Sequence, residues 1–171
     1  FYPVPIERTL IKDDLYDLKE ITDYMISVLD SCQLKNGYLH AIPESHYDQI
    51  ENGNTSGTWV PWYSMHKILA GLIDVYTHTR NKKALEIASE LGDWVYSHTS
   101  QWTEETQKTV LNVEYGGMND CLYNLYKYTK NENLIHNGFY FFEGLTIGQT
   151  YDVTFECDGF ETKTVQVTIK D

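Results

Sequence analysis

The chain has 171 residues, with 13 Lys and Arg against 25 Asp and Glu and a net charge of -12. Such an acidic surface repels phosphate backbones, so no nucleic-acid partner is expected. Hydrophobic residues make up 42% of the chain, as in a globular protein, yet no run approaches the roughly 20 apolar residues of a spanning helix. We therefore expect no membrane partner. The chain begins at Phe1 without a signal peptide, as a mature or trimmed chain does.

A first helix is predicted over residues 13–32, where apolar residues recur every three or four positions. The stripe expected to face the core consists of Leu15, Leu18, Ile21, Met25, Val28, Leu29 and Cys32. After Gly37, a polar connection runs to about Thr58 and is expected to be a long loop. The three cysteines, Cys32, Cys121 and Cys157, are far apart and are expected to be small buried thiols.

Four more helices are predicted around residues 65–76, 84–95, 103–111 and 118–126, with Pro61 in the first turn of the first of these. A shift of 50 residues superimposes the ends of two of them. The matched pairs are Leu72 and Leu122, Tyr76 and Tyr126, Thr79 and Thr129, and Asn81 and Asn131. Such a period is typical of stacked helical hairpins, although a chance match of a common helix end is the alternative.

Beyond residue 136 the pattern changes to that of strands. Tyr151, Val153 and Phe155 alternate with polar residues, and a return strand follows the hairpin signal Asp158-Gly159. With a Phe-rich segment at 139–142, three strands are predicted. We therefore predict a mainly α fold: a partial (α/α) barrel or toroid of helical hairpins in residues 1–136, and a small antiparallel β segment in 137–171.

Polar and aromatic residues collect before or at the start of the first helix in each repeat. The predicted substrate-binding residues are Trp59, Trp62, Tyr63, His66, Glu114, Asn119 and Asp120. Aromatic faces stack on sugar rings, and helix N-termini with a nearby His, Asn or carboxylate bond hydroxyl groups. The alternatives are packing for the two Trp, hydrogen bonding at the rim for His66, and helix-start carboxylates for Glu114 and Asp120. No catalytic residue, metal ligand or cofactor is predicted.

The segments GYLHAIP, WVPWYSMHKILAGLIDVY and VEYGGMNDCLYNLYKYT stand in an order that resembles one family. They are similar to bacterial glycoside hydrolases typified by β-L-arabinofuranosidases, formerly a domain of unknown function, over about residues 13–134. The resemblance implies an (α/α)6 barrel that acts on L-arabinofuranosides of plants or glycoproteins. It also implies that His66 and the segment 114–120 lie at the rim of the sugar pocket, and that the protein is extracellular or periplasmic.

The chain also departs from that family. Such enzymes use a Cys nucleophile at a zinc site of several Cys and a Glu, with a separate Glu as acid/base, all in later helices. This chain has no adjacent Cys pair, so no nucleophile or zinc ligand is carried over and catalysis by this chain alone is not expected. The alternative functions are a non-catalytic carbohydrate-binding module and a structural module that forms a homo-oligomer.

The tail from Gly138 onward resembles the last strands of carboxypeptidase-regulatory-like modules. Because both domains look partial, we expect a fragment, an internally shortened product or a chain that lacks its middle.

Overall fold

The computed structural model describes residues 14–57, 60–114, 117–135, 145–155 and 161–170, with only the backbone for 14–17. The chain divides into two compact units, residues 1–139 and 140–171. The first contains helices α1 (Asp14–Cys32), α2 (Ser45–Glu51), α3 (Pro61–Thr79), α4 (Lys82–Thr99), α5 (Glu104–Val113) and α6 (Met118–Thr129), followed by a 3-10 turn (Glu132–Ile135). The second contains strands β1 (Thr150–Phe155) and β2 (Lys163–Thr168). The predicted mainly α class with a small antiparallel β segment is confirmed.

Helices α3, α4 and α6 pack together around the main core of the first unit. Leu69 of α3, Leu91 of α4 and Leu125 of α6 are fully buried there. Each such side chain stabilises the fold by about 1.5–3 kcal/mol relative to an exposed one. Gly92 lets α4 approach α6 closely, because a Cβ at this position would lie 2.8 Å from a methyl carbon of Leu125 in α6.

Helix α1 packs on α4 with a face that matches the predicted stripe only in part, since Leu29 of that stripe is half-buried and packs against the core. The side chain of Ile26 is buried, whereas Ile21 and Met25 of the predicted core stripe are 54% and 58% exposed. The face is selected by polar contacts: Asn81 donates a hydrogen bond to Asp23 (2.6 Å), and Gln33 donates one to the carbonyl of Ile87 (3.0 Å). Periodicity identifies an apolar stripe but not the element that covers it.

Helix α2 lies in the segment that was predicted to be a loop, so that prediction is wrong. The helix has only seven residues, too few for a helical period to emerge among polar neighbours. Its two fully buried side chains, Tyr47 and Ile50, stand three positions apart and hold it against the core. The chain reaches α2 through Gly37 (φ 88°), where a Cβ would lie 2.2 Å from the carbonyl oxygen of Glu90.

The ends of α3 and α6 have the same construction, as the 50-residue repeat predicts. Arg80 and Lys130 both adopt a left-handed conformation, with φ of 58° and 57°. Each cation lies over a tyrosine four residues earlier, Arg80 at 5.7 Å from the centre of the Tyr76 ring and Lys130 at 5.4 Å from that of Tyr126.

The asparagine that follows each helix end makes an equivalent bond. Asn81 donates to Asp23 of α1 (2.6 Å), and Asn131 donates to Asp93 of α4 (2.8 Å). In each of the two repeats, the turn after a helix is thus hydrogen-bonded to a helix earlier in the chain. This pairing confirms the repeat at its two helix ends, while closure into a toroid stays a prediction.

The two strands pair antiparallel, with Tyr151 opposite Val167 and Val153 opposite Val165. The predicted third strand, the Asp158-Gly159 hairpin and the predicted boundary at 136/137 lie outside the described residues. No helix in the described parts of the chain combines the length and apolar character needed to cross a membrane.

Candidate functional site

The N-terminus of α3 lacks a capping side chain of its own. Val60 occupies the cap position with a φ of 33°, a left-handed conformation that is strained for a β-branched residue, and Pro61 has no N–H. The free N–H of Tyr63 donates instead to the Glu114 carboxylate at 2.8 Å. Glu114 follows the last residue of α5, so it caps a helix from 51 positions away.

Burial gives Glu114 an unusual ionisation. The side chain is only 6% exposed, and loss of solvation raises its pKa to about 7, although the N–H groups of Tyr63 and Trp62 oppose the rise. Its second oxygen, Oε1, is buried without a hydrogen bond to any described residue. A carboxyl with this pKa exchanges its proton near neutral pH, as groups at functional sites commonly do.

His66 joins α3 to the segment that follows Glu114. Its ring is buried and lies edge-on to the Tyr63 ring at 4.9 Å. A Cβ at Gly117 would stand 2.8 Å from the imidazole, so only glycine allows this approach. Burial and Lys67 lower the pKa of His66 more than Asp120 raises it, which keeps the ring neutral at pH 7.

The exposed part of this cluster consists of Tyr63 and Asp120. The Tyr63 ring is 48% exposed, with the Lys67 ammonium 5.2 Å from its centre. Asp120 accepts a hydrogen bond from Asn124 (3.1 Å), and Asn119 beside it is half-buried. Tyr63 and Asp120 are therefore exposed to solvent, whereas Glu114 and His66 are buried.

The two predicted tryptophans differ from this group. Trp62 is 6% exposed, and its ring meets those of Tyr47 (4.7 Å), Trp102 (5.2 Å) and Trp94 (6.0 Å). This burial matches the packing alternative, since a sugar platform needs an exposed face. Trp59 lies outside the described residues.

Tyr47, which was not among the predicted substrate-binding residues, also contacts the start of α3. Its hydroxyl donates to the carbonyl of Pro61 (3.2 Å) and lies 3.3 Å from Nδ1 of His40. Burial raises the pKa of Tyr47, and the nearby Tyr38 and Glu114 add to the rise. The position of Tyr47 on the short helix α2 gave no periodic signal, so its contact with α3 was not predictable.

The described residues do not fit the Cys-rich zinc site that the resemblance implies. Cys32 is exposed on α1, which contradicts the predicted buried thiol, while Cys157 lies outside the described residues. Cys121 is buried, its thiol donates to the carbonyl of His66 (3.4 Å), and burial raises its pKa to about 12. A thiol in that state is a poor nucleophile and a poor metal ligand, so we derive no catalytic step through it.

Two comparisons with known proteins bear on this site. Residues 9–164 match the family model described as "Beta-L-arabinofuranosidase, GH127 catalytic domain". The match extends beyond residue 134, where the motif resemblance ended. No curated protein matches the chain. Since the family model covers most of the sequence, from before α1 into β2, the chain belongs to the GH127 β-L-arabinofuranosidase catalytic-domain family.

Proposed function

We propose that this chain recognises L-arabinofuranosides of plant or glycoprotein glycans at the N-terminus of α3, and that it does not hydrolyse them alone. Membership of a glycoside-hydrolase family supports a carbohydrate substrate. The observation that carries the location is the hydrogen bond from the Tyr63 amide to Glu114, which brings the two motif segments together.

The exposed groups have the chemistry that sugars require. The half-exposed Tyr63 ring presents an apolar face to sugar C–H groups, and Asp120 presents an acceptor to sugar hydroxyl groups. Glu114 and His66 are too deeply buried for first contact, and they act as positioning residues that hold Tyr63 and the 117–120 segment in place. The proposed lack of hydrolysis is supported by the unreactive environment of Cys121.

Binding is tested by titrating the chain with an arabinofuranosyl oligosaccharide in a calorimeter. Tyr63→Ala is expected to weaken binding about 5- to 150-fold, because an aromatic contact is worth roughly 1–3 kcal/mol. Tyr24→Ala is the matched control, since Tyr24 on α1 is 69% exposed and remote in sequence from both motifs. Absence of any binding heat, or equal losses in the two variants, would contradict the proposal.

Hydrolysis is tested separately with an aryl β-L-arabinofuranoside. We expect no release of the aryl group above the uncatalysed rate. Enzyme-like turnover would disprove the proposed incompleteness and leave the binding site itself intact.

A second candidate function is assembly with another copy of the chain through α1. Four apolar side chains, spaced three or four residues apart on one face of that helix, are exposed: Leu18, Ile21, Met25 and Val28. Light scattering is expected to show a concentration-dependent dimer that Met25→Lys abolishes, while a monomer at all concentrations rejects this candidate.

The proposed substrates also imply that the protein works outside the bacterial cytoplasm, in the periplasm or the medium. Fractionation of the source cells tests this placement, and recovery in the cytoplasmic fraction alone would overturn it.

A further inference from the structure

Three potential metal ligands converge between α2 and α4, and none of them belongs to the proposed sugar site at Tyr63 and Asp120. Asp48 and Glu51 stand three positions apart on α2, and His98 lies in the last turn of α4. Each offers one ligand atom, and these atoms all lie within 4.8 Å of one another. The closest two, Nε2 of His98 and Oε1 of Glu51, are 2.8 Å apart.

The imidazole is held in place by aromatic rings. His98 stacks on Trp94, with ring centres 4.8 Å apart and an angle of 24°, and it lies edge-on to Tyr47 at 6.1 Å. Trp94 is fixed in turn, because its indole N–H donates to Glu44 (2.9 Å). The ligand nitrogen is therefore directed at the carboxylates before any ion arrives.

The ligand atoms also have an unusual environment. Oε1 of Glu51 and Nε2 of His98 are buried, and neither has a well-aligned hydrogen bond to the described residues, although the two atoms are in ion-pair contact. The ligand oxygens of Asp48 and Glu51 lie within 4.8 Å of the ligand nitrogen of His98, and their negative charge favours a metal cation. Asp48 is exposed, which leaves a path from solvent.

We propose that Asp48, Glu51 and His98 bind a divalent transition-metal ion of the zinc type, which fixes α2 against α4. Tetrahedral ligands at about 2.1 Å from zinc lie roughly 3.4 Å apart. Here the distance between Nε2 of His98 and Oε1 of Glu51 is 2.8 Å, and all three ligand atoms lie within 4.8 Å of one another. Small side-chain rotations would bring these distances to about 3.4 Å. An imidazole with two carboxylates suits zinc, manganese or cobalt, whereas magnesium and calcium prefer oxygen ligands in larger number. On binding, the metal takes the nitrogen lone pair and the displaced proton leaves for solvent.

This site shares no residue with the Cys-rich zinc site of the family resemblance, and it does not depend on the proposed sugar binding. Its role is structural. Because Tyr47 directly precedes Asp48 on α2 and donates to the carbonyl of Pro61 at the start of α3, an ion here would also restrain the neighbourhood of the capped helix end.

The test uses the whole chain after treatment with a chelator and its removal. Calorimetry with zinc chloride at pH 7.5 is expected to show one saturable site, and the melting temperature should rise, while magnesium gives neither effect. Cobalt is expected to give a visible spectrum without a thiolate charge-transfer band, which excludes binding at the cysteines.

Asp48→Asn is the decisive variant, because Asp48 is exposed and takes no part in the Glu51–His98 ion pair. We expect it to weaken zinc binding at least tenfold without loss of folding, and Asp74→Asn on α3 to leave zinc binding unchanged. His98→Gln should also abolish the site, with His78→Gln as its control. If zinc does not bind, or binds equally to Asp48→Asn and the parent chain, the three residues form only an ion pair with a neighbouring carboxylate and the proposal fails.

Discussion

Glu114 illustrates how one side chain can serve both structure and chemistry. It caps the N-terminus of α3, where neither Val60 nor Pro61 provides a capping group, and its Oε1 is buried without a hydrogen bond to the described residues. A buried carboxylate costs free energy unless its hydrogen bonds compensate for lost hydration. The fold retains this cost at the point where the two motif segments meet.

The raised pKa of Glu114 predicts a specific dependence of stability on pH. A carboxyl with a pKa of about 7 in the folded chain and 4.5 as its ordinary value takes up protons on folding. Stability should therefore be fully present below pH 4.5 and decrease as pH rises through about 7, by on the order of 3 kcal/mol from this group. Glu114→Gln, which keeps an acceptor but does not titrate, should remove that decrease. Urea unfolding at several pH values from 5 to 8 measures it.

Glu105→Gln is the control for this prediction, since Glu105 lies exposed in the first turn of α5. Glu105→Gln removes the same charge without changing a buried group. Its plot of unfolding free energy against pH should therefore keep the shape of the parent's plot. If Glu114→Gln also runs parallel to the parent, burial of Glu114 does not govern its ionisation.

Sequence reasoning identified the residue types at this site but not their individual roles. Glu114 was weighed as a carboxylate at the start of its own helix, and it caps a different one. A hydrogen bond across 51 positions has no local signature. The approach of His66 to Gly117 likewise joins residues 51 positions apart and has no local signature.

Among the elements, α1 shows where periodicity is insufficient. Most of its predicted apolar stripe is exposed, although Leu29 packs against the core, and Ile26 beside that stripe is 3% exposed. The polar pairs at Asp23 and Gln33 specify the buried face. An amphipathic pattern thus predicted the helix correctly and its buried face only in part.

This orientation can be tested with two neighbouring substitutions. Ile26→Ala should destabilise the chain by about 2–4 kcal/mol, because it removes a buried side chain and leaves a cavity. Met25→Ala, at a position 58% exposed, should cost less than about 1 kcal/mol. Chemical denaturation measures both, and similar losses for the two variants would show that α1 is turned the other way.

At the scale of the whole molecule, the two units differ in how they are stabilised. Large apolar side chains of α3 and α4 are fully buried, whereas none of the residues in β1 or β2 is. A two-stranded ribbon gains little from burial and depends on its ladder and on threonine pairs such as Thr150–Thr168. The composition change near residue 136 predicted helices before it and strands after it, and the described elements follow that order.

Hydrogen exchange should therefore reveal a gradient of local stability. Backbone amides of Leu72 and Leu91 are expected to exchange at least about a hundredfold more slowly than those of Val153 and Val165. The comparison uses intrinsic rates to correct for sequence. Equal protection in helices and strands would mean that the second unit has a stabilising partner surface.

The two asparagine ties, Asn81 to Asp23 and Asn131 to Asp93, have a geometric consequence. When successive helical hairpins are linked by equivalent contacts, each hairpin is rotated by the same angle relative to the one before it. Units added by the same rule would follow an arc rather than a straight line, and the concave side of that arc would collect corresponding positions from each hairpin. In such an architecture, the geometry of the repeated Asn–Asp hydrogen bond would contribute to the curvature of the array.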